Sequence, residues 1–180
     1  MEIVLSSFSQ DNTVSTSIET DFNALLDIHH DRLYWMIRKI VLVHDDAQDV
    51  LQNTWLKIHK GLPGFKGESK IETWMFRIAY NECMRFLKQK KHYYRLDDVD
   101  SNYLETLKAD PYFNGEEGEN VLHKTLGSLK ESERHIFNLK YFDGLKFSQV
   151  AQLTDRNENS VKTLYYKAEK KIKQQLKKHS

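Results

Sequence analysis

Apolar residues recur at steps of three and four along most of the chain, which is the spacing of one face of an α-helix. The first run follows Asp21 and consists of Phe22, Leu25, Leu26, Leu33, Met36, Ile37, Ile40 and Val41. The second run follows Asp45 and Asp46, whose negative charges suit a helix N-terminus, and stops at Gly61. Because glycine commonly ends helices as the C′ residue, these two runs predict two amphipathic helices.

A third helical run is predicted from Ser69 to about Lys91. Ser69 and Glu72 have the spacing of a capping box, which satisfies the free N–H groups of a helix start. In contrast, residues 1–20 hold eight Ser/Thr and few periodic apolar residues. We therefore expect residues 1–20 to form a flexible N-terminal extension.

The periodicity fades over residues 96–118, which are acidic and contain turn residues. It returns at Asn120 in four short pieces, the last of which has Asn157 as a predicted N-cap. The chain has only two prolines and seven glycines, few for a β protein with many turns. The pattern predicts an all-α protein with two small helical domains, 21–95 and 119–180, joined by an acidic linker.

The net charge of +1 hides a strong segregation of charge along the chain. Between Leu96 and Asn120 there are eight acidic residues against one lysine, whereas residues 156–180 hold eight basic residues against two acidic ones. Such asymmetry is typical of a polyanion-binding end beside an acidic connector. A solvated basic helix face remains the alternative for the tail.

Composition also predicts where the protein works. Hydrophobic residues make up 39% and charged residues 29%, as in soluble globular proteins. The single cysteine, Cys83, excludes an internal disulfide, fits a reducing compartment and is expected to be buried. No apolar run approaches the roughly 18 residues of a membrane span. We expect a cytoplasmic protein that does not insert into membranes.

The segment from Phe147 to Lys173 has the rhythm of a helix-turn-helix. Its last helix carries one apolar stripe, formed by Val161, Leu164, Ala168, Ile172 and Leu176. The opposite side carries Lys162, Thr163, Tyr166, Lys167, Lys170 and Lys173. Such a face can enter a DNA major groove, where Lys162 and Thr163 near the helix N-terminus would reach base edges.

Basic and aromatic residues alternate between Gly64 and Lys91, in a glycine-containing loop that leads into a helix. The aromatic residues are Phe65, Trp74, Phe76 and Tyr80. This mixture suits a surface that grips a phosphate backbone and holds an unstacked base. For Trp74, packing against the helices is the favoured alternative, and for Trp55 packing in a core or an interface.

Three segments occur in a fixed order: DDAQDVLQNTWLKIHK (45–60), GFKGESKIETWMFRIAYNECMRFLKQKK (64–91) and LGSLKESERHIFNLKYFDGLKFSQVAQLTDRNENSVKTLYYKAEKKI (126–172). Together they resemble the bacterial extracytoplasmic-function (ECF) sigma factors, which have only sigma domains two and four. The resemblance implies a protein without catalytic activity that binds core RNA polymerase. It would direct promoter recognition, promoter melting and the initiation of transcription.

The resemblance also implies partners. Core-polymerase contacts to the β′ clamp helices would come from Asp46, Asp49, Gln52 and Asn53, and the β flap would be a second contact. The acidic linker would lie in the RNA-exit and active-site channels, whose basic walls suit its charge. An anti-sigma factor, often membrane-bound, is a common partner in the family. No cofactor or metal is implied.

DNA contacts follow residue by residue. The loop 61–70 resembles the one that captures a flipped base of the −10 element, with Phe65 as its aromatic residue and Lys66 and Lys70 beside it. Asn81 matches the amide that contacts the separated strand. Phosphates would be held by Arg77, Arg85 and Lys88. The −35 element would be read by Asn159, Ser160, Lys162, Thr163, Tyr166, Lys167 and Lys170.

Four positions depart from the family pattern. Asn53 stands where Glu is common, and Lys146 replaces a Ser cap, which removes about 1 kcal/mol of helix stabilisation. Asp155 and Arg156 occupy a turn that usually carries Gly and then an aliphatic residue. We expect Asp155 to adopt a left-handed conformation and Arg156 to point to solvent or DNA.

Two other classes of function fit parts of the sequence. A stand-alone helix-turn-helix regulator that binds palindromic DNA as a dimer leaves segment 45–91 without a role. A metal-dependent nuclease would use the His/Asp groups at 29–31 and 44–46. Adjacent residues point around a helix rather than to one centre, so no metal site is expected there.

Overall fold

The computed structural model describes residues 9–94 and 125–177, and it describes the side chains of 22–90 and 125–177. The helices are α1 (Ser9–Val41), α2 (His44–Gly61), α3 (Ile71–Tyr94), α4 (Glu131–Tyr141), α5 (Phe147–Thr154) and α6 (Glu158–Leu176). A 3₁₀ turn, Leu62–Gly64, follows α2, and residues 125–127 are also helical. No strand occurs in these described ranges, and the all-α prediction is confirmed. The predicted linker lies outside them.

Helix α1 starts earlier than the periodicity predicts. Residues 1–20 were expected to be a flexible extension, but the helix already begins at Ser9. Residues 9–20 contain neither glycine nor proline, so once the helix is nucleated nothing in the sequence stops it from extending backwards. None of the helices in the described part of the chain is long and apolar enough to cross a membrane.

Two predicted helix ends differ in detail. Gly61 is the last residue of α2 with a right-handed φ of −89°, and it does not take up the left-handed C′ conformation. A Cβ at Gly61 would lie 3.0 Å from Cζ2 of Trp74, so close packing of the indole explains this glycine. At the start of α3 the Ser69 hydroxyl donates to its neighbour's carbonyl, Lys70 O, instead of capping the helix.

Helices α1, α2 and α3 pack around one buried core, which continues between α4, α5 and α6 through Ile136, Leu139, Leu145, Val150, Ala151, Leu153 and Val161. The largest fully buried side chains of α1, α2 and α3 are Leu33, Met36, Ile37, Leu51, Ile58, Met75 and Phe76. Trp55 is also buried in this core, as its packing alternative predicts. Cys83 is buried as predicted, and burial raises the pKa of its thiol well above the ordinary value. The thiol is therefore unreactive at neutral pH.

Helices α4, α5 and α6 form the second unit, in which α5, a tight turn and α6 make the predicted helix-turn-helix. Asp155 in the turn has φ 52° and ψ 47°, the left-handed conformation predicted for it, and Arg156 is exposed. The Gln149 side chain accepts a 2.8 Å hydrogen bond from the Lys146 N–H, which compensates for the missing serine cap. Leu176 is an exception to the predicted apolar stripe, since 37% of it is exposed in the last turn.

The two units pack directly against each other. Leu42, after α1, has a left-handed φ of 74° and belongs to a buried cluster with Leu126, Leu129, Phe137, Ala168 and Ile172. Lys39 forms an ion pair with Asp143, in the turn after α4. Gln149 at the start of α5 donates a 2.9 Å hydrogen bond to the Thr73 hydroxyl of α3. The sequence left this arrangement open, and the structure shows a closed one.

Candidate nucleic-acid interface

Helix α3 presents one polar stripe to solvent. Its members are spaced by three or four residues and are all exposed: Arg77, Asn81, Arg85 and Lys88. The opposite face of the same helix is buried through Phe76, Ala79 and Cys83. Helical periodicity therefore brings four of the predicted DNA-contact residues onto one accessible surface.

The loop before α3 places an aromatic ring against the first turn of this helix. Phe65 is half-buried, and its ring lies 5.2 Å from the ring of Trp74 at an angle of 43°. Trp74 in turn packs against the core, which confirms its packing alternative. Lys66 and Lys70 are exposed, and Gly67 between them has a φ of +72° that favours glycine. The loop thus offers one supported ring, followed in the sequence by two exposed lysines.

Phe76 and Tyr80 do not belong to this surface. The sequence counted them among the interleaved aromatics, but only 1% of Phe76 and 9% of Tyr80 are exposed. Burial raises the pKa of Tyr80 to about 12, although the nearby Arg156 charge opposes the change. Both residues fall on the apolar side of α3, so neither ring is free to stack on a base.

A buried carboxylate holds one member of the stripe. Glu82 is 2% exposed, and Arg85 donates to its Oε2 through Nε at 3.2 Å and through a terminal nitrogen at 2.6 Å. Lys57 of α2 pairs with Oε1 of the same group. Burial alone would raise the pKa of Glu82, but the hydrogen bonds from Arg85 and Lys57 outweigh it and lower the pKa. The sequence patterns did not single out Glu82 or Lys57.

Helix α6 carries the second polar face. Asn157 caps the helix by accepting a 2.7 Å hydrogen bond from the Ser160 N–H, which confirms the predicted cap. Thr163 and Tyr166 are exposed, as are Asn159 and Lys170, whereas Ser160 is half-buried. The Tyr166 ring packs 6.0 Å from Phe147. Most of the predicted −35 residues are thus accessible on one helix.

Two of the predicted lysines on α6 already have acidic partners. Lys162 is half-buried and lies 2.6 Å from Glu158, one turn earlier on the same helix. Lys167 lies 3.3 Å from Glu133 of α4, and Lys171 lies 2.7 Å from the other oxygen of that carboxylate. Burial would raise the pKa of Glu133, but hydrogen bonds from Lys171 and Lys167 lower it. Glu133 therefore ties α6 to α4.

We expect Glu133→Gln to destabilise the protein at neutral pH by roughly 1–2 kcal/mol, a value reduced because both lysines are partly exposed. The folded form holds this pKa below the ordinary value of about 4.3, so the carboxylate stabilises the fold above that pH. The stabilisation is lost as the pH falls through the folded pKa. Thermal unfolding measured between pH 7 and pH 3 should show a smaller loss of stability with falling pH in Glu133→Gln than in the parent protein.

The control is Glu169→Gln, which removes the 3.1 Å pair between Glu169 and Lys173 on the surface of α6. Such exposed pairs contribute little, so we expect a change within about 0.5 kcal/mol. Equal pH profiles for Glu133→Gln and the parent protein would contradict the stabilising role of Glu133.

Helix α2 offers a different kind of surface. Asp49, Gln52 and Asn53 are exposed, whereas Asp46 forms an ion pair with Lys90 of α3. Asp49 and Gln52 stand at a groove of about 650 Å³ between α1 and α2. Its apolar and aromatic lining is Phe22, Leu26, His30, Leu51, Trp55, Leu56 and His59. An apolar groove edged by acid and amide groups can receive an amphipathic helix.

Comparison with known proteins adds independent findings. The family model described as Sigma-70 region 2 matches residues 25–93, and the one described as Sigma-70, region 4 matches residues 119–172. The RNA polymerase sigma factor SigV of Bacillus subtilis is 29% identical over 148 residues, which is 82% of this chain and 86% of the relative. The ECF RNA polymerase sigma-E factor of Escherichia coli K12 is 25% identical over 161 residues, 84% of each chain.

Two solved structures share the fold. The sigma factor RpoE, solved with the anti-sigma factor NepR from Bartonella quintana, superposes with a TM-score of 0.72 at 22% identity. That match covers 87% of this chain and 97% of the other. CnrH, solved with the cytosolic domain of CnrY, gives a TM-score of 0.65 at 21% identity over 90% and 91% of the two chains.

Proposed function

This chain belongs to the ECF RNA polymerase sigma factors, and we propose that its two helical units read the −10 and −35 elements of one promoter. As a sigma factor it recognises promoters and acts in transcription initiation. It does so by binding, without catalysing a reaction of its own. Its place of work is the cytoplasm, where polymerase and DNA are found.

The observation that carries the proposal is the pair of exposed polar faces on α3 and α6. Each face lies on a helix whose opposite side is buried against neighbouring helices, so each is held rigidly. The α3 face combines cations, an amide and the supported ring of Phe65, which suits a single strand. The α6 face follows a helix-turn-helix, which suits the major groove. A stand-alone regulator that binds duplex DNA would account only for the polar face of α6.

On the −10 side we assign base capture to Phe65 and the strand contact to Asn81. The backbone would be held by Lys66, Lys70, Arg77, Arg85 and Lys88, which are all exposed. Extruding a base from its stack costs a few kcal/mol, so the ring that receives the base has to offset part of that cost. The position of Phe65 against Trp74 supports this assignment, because the supported ring needs little further ordering.

On the −35 side the contacts are Asn159, Ser160, Lys162, Thr163, Tyr166, Lys167 and Lys170. Thr163 and Asn159 lie in the first turns of α6, which enter the groove most deeply in this motif. The lysines further along contact phosphates, which position the helix without reading sequence. The pairing of Lys167 with Glu133 indicates that its contribution is smaller than that of Lys170.

Core RNA polymerase is the second partner. The α2 surface with Asp49, Gln52 and Asn53 would dock on the β′ clamp helices, and Asp46 would support it through Lys90. The β flap would contact the second unit. A membrane-bound anti-sigma factor is a further partner, since one relative in fold was solved with the anti-sigma factor NepR and another with the cytosolic domain of CnrY. The division into 21–95, the linker and 119–180 belongs to the same proposal.

The direct test mixes the purified chain with core RNA polymerase and a promoter library and measures co-elution and run-off transcription. We expect a stable complex and transcripts from specific start sites. The same start sites should become active when the chain is overproduced in cells. Failure to co-elute and to support run-off products would overturn the proposal. Binding of palindromic duplex by a dimer without polymerase would favour the stand-alone regulator instead.

We expect Lys162→Ala to weaken binding of −35 duplex and to flatten its dependence on salt. Each lost phosphate contact lowers the slope of log K against log salt by up to about 0.9 on duplex DNA. Because Glu158 already neutralises part of this charge, the measured decrease should fall below that limit. Titrations of fluorescent duplex from low to high salt measure the slope. The control is Lys177→Ala beyond the end of α6. An unchanged slope together with an intact base preference for Lys162→Ala would remove that residue from the interface.

A further inference from the structure

Glu82 lies in the middle of the α3 DNA face, yet it points into the protein. Its neighbours on the stripe, Asn81 and Arg85, are exposed, whereas the Glu82 side chain is only 3% exposed. A buried carboxylate is costly unless cations and hydrogen bonds compensate it. Here both oxygens are used, Oε2 by Arg85 and Oε1 by Lys57. The group is therefore a fixed anchor rather than a solvated surface charge.

The two cations that it holds are only half covered. The side chain of Lys57 is 52% exposed and that of Arg85 is 49% exposed. Because one carboxylate binds both, their charged groups lie side by side at the surface, one from α2 and one from α3. One negative and two positive charges leave a net positive charge of one at a defined place. Preorganised cations of this kind suit a phosphate group, because little side-chain entropy remains to be lost.

We propose that Glu82 is a positioning residue that presents Lys57 and Arg85 together to the DNA backbone, and that Lys57 is a phosphate contact of the −10 interface. The inference rests on the proposed function, since it concerns the same α3 face. It extends that face from α3 onto α2, one turn after Asn53. The phosphate-binding surface and the surface for polymerase thus meet on α2.

The second unit contains a related arrangement. Glu133 is 0% exposed, and its two oxygens hold Lys167 and Lys171, whose side chains are 56% and 38% exposed. Here both cations come from α6 and the carboxylate from α4, whereas Glu82 shares α3 with Arg85 and only Lys57 comes from a second helix. In each unit the carboxylate binds at least one cation of another helix, so it also fixes the position of one helix relative to the other.

The first test uses holoenzyme and a single-stranded oligonucleotide that carries the non-template −10 element. We expect Lys57→Ala to lower the slope of log K against log salt by about 0.7, the value for one phosphate contact on a single strand. Over a fourfold rise in salt this amounts to about a 2.5-fold smaller loss of affinity than in the parent protein. The control is Lys60→Ala, an equally charged substitution at an exposed position three residues later on α2. Equal slopes for Lys57→Ala, Lys60→Ala and the parent would overturn the proposal.

The second test separates positioning from simple neutralisation. Glu82→Gln raises the net charge by one. If Glu82 only neutralised positive charge, this substitution would therefore tighten binding of the oligonucleotide. Loss of a positioning residue instead frees two long side chains, and we expect about two- to tenfold weaker binding at unchanged affinity for core polymerase. Tighter binding would contradict the positioning role. If Glu82→Gln does not fold, Lys57→Ala still decides the proposal, because Lys57 is exposed.

These outcomes are distinct from failure of the function itself. If the parent protein neither joins core polymerase nor binds the oligonucleotide, the proposed function fails before any variant is compared. If the parent binds and transcribes and Lys57→Ala behaves as Lys60→Ala does, only the assignment of Lys57 and Glu82 is lost.

Discussion

Phe65→Ala is expected to lower open-complex formation by about 5- to 150-fold, the range that corresponds to the 1–3 kcal/mol of base stacking on an aromatic side chain. The ring is supported by Trp74 at 5.2 Å and is only half-buried, so one side of it can still receive a base. Its loss removes the acceptor for an unstacked base without changing α2. We therefore expect affinity for core RNA polymerase to stay close to that of the parent protein.

Permanganate reactivity of the melted region measures opening, and co-elution or fluorescence anisotropy measures binding to core polymerase. Phe65→Tyr serves as the matched control, because a phenol ring keeps the stacking face. Phe142→Ala, a substitution at a 43% exposed aromatic residue of the second unit, controls for the loss of an aromatic side chain elsewhere. Equal losses of opening and of core binding would mean that Phe65 holds the loop in shape and does not capture a base.

A structural feature can be predicted from the sequence when the residues that determine it lie close together along the chain. Helical periodicity and caps are local, so the helices, the Asn157 cap and the exposed stripe of α3 follow from short windows. Phe76 and Tyr80 show the limit of composition, because their type suits stacking on bases whereas their phase on α3 directs them inward.

The sequence patterns did not reveal ion pairs and hydrogen bonds between residues that are far apart along the chain. Glu82 is 25 residues from Lys57, and Glu133 is 38 residues from Lys171, so neither pair has a local signature. The same holds for the contact between the units, in which Gln149 and Thr73 are 76 residues apart. In each case the packing of helices decides which side chains meet, and that packing depends on whole apolar faces rather than on single spacings.

The closed packing of the two units has a geometric consequence for promoter binding. The names of the −10 and −35 elements place them about 25 base pairs apart, which corresponds to about 85 Å of duplex at 3.4 Å per base pair. In the structure α3 and α5 touch through a 2.9 Å hydrogen bond, and Lys39 of α1 pairs with Asp143. Units in direct contact cannot span such a distance. Binding of both elements by one chain therefore requires the interface to separate.

One ion pair of the interface carries an electrostatic cost. Burial raises the pKa of Asp143, and the charge of Lys39 only partly offsets that effect. The carboxylate is thus held in a place that disfavours its charged form, and exposure to water relieves this cost. In addition, Leu42 is buried in a left-handed conformation, which is unfavourable for a residue with a side chain of this size. The closed form thus contains two local free-energy costs, at Asp143 and at Leu42. These costs lower the free energy that a competing partner must supply to separate the units.

We expect dyes on Asp27→Cys and Gln174→Cys, one exposed position in each unit, to show efficient energy transfer in the free chain and a marked fall in the promoter complex. Cys83 is buried with a raised thiol pKa, so the two engineered thiols can be labelled selectively.

Thr73→Val removes the acceptor for Gln149 while keeping the shape of the side chain. Loss of one such hydrogen bond is worth about 0.5–1.5 kcal/mol, so the separated population should rise about 2- to 13-fold in the free chain. Thr154→Val, whose hydroxyl donates to Val150 O within α5, is the control, and unchanged transfer on promoter binding would show that the closed form itself binds DNA.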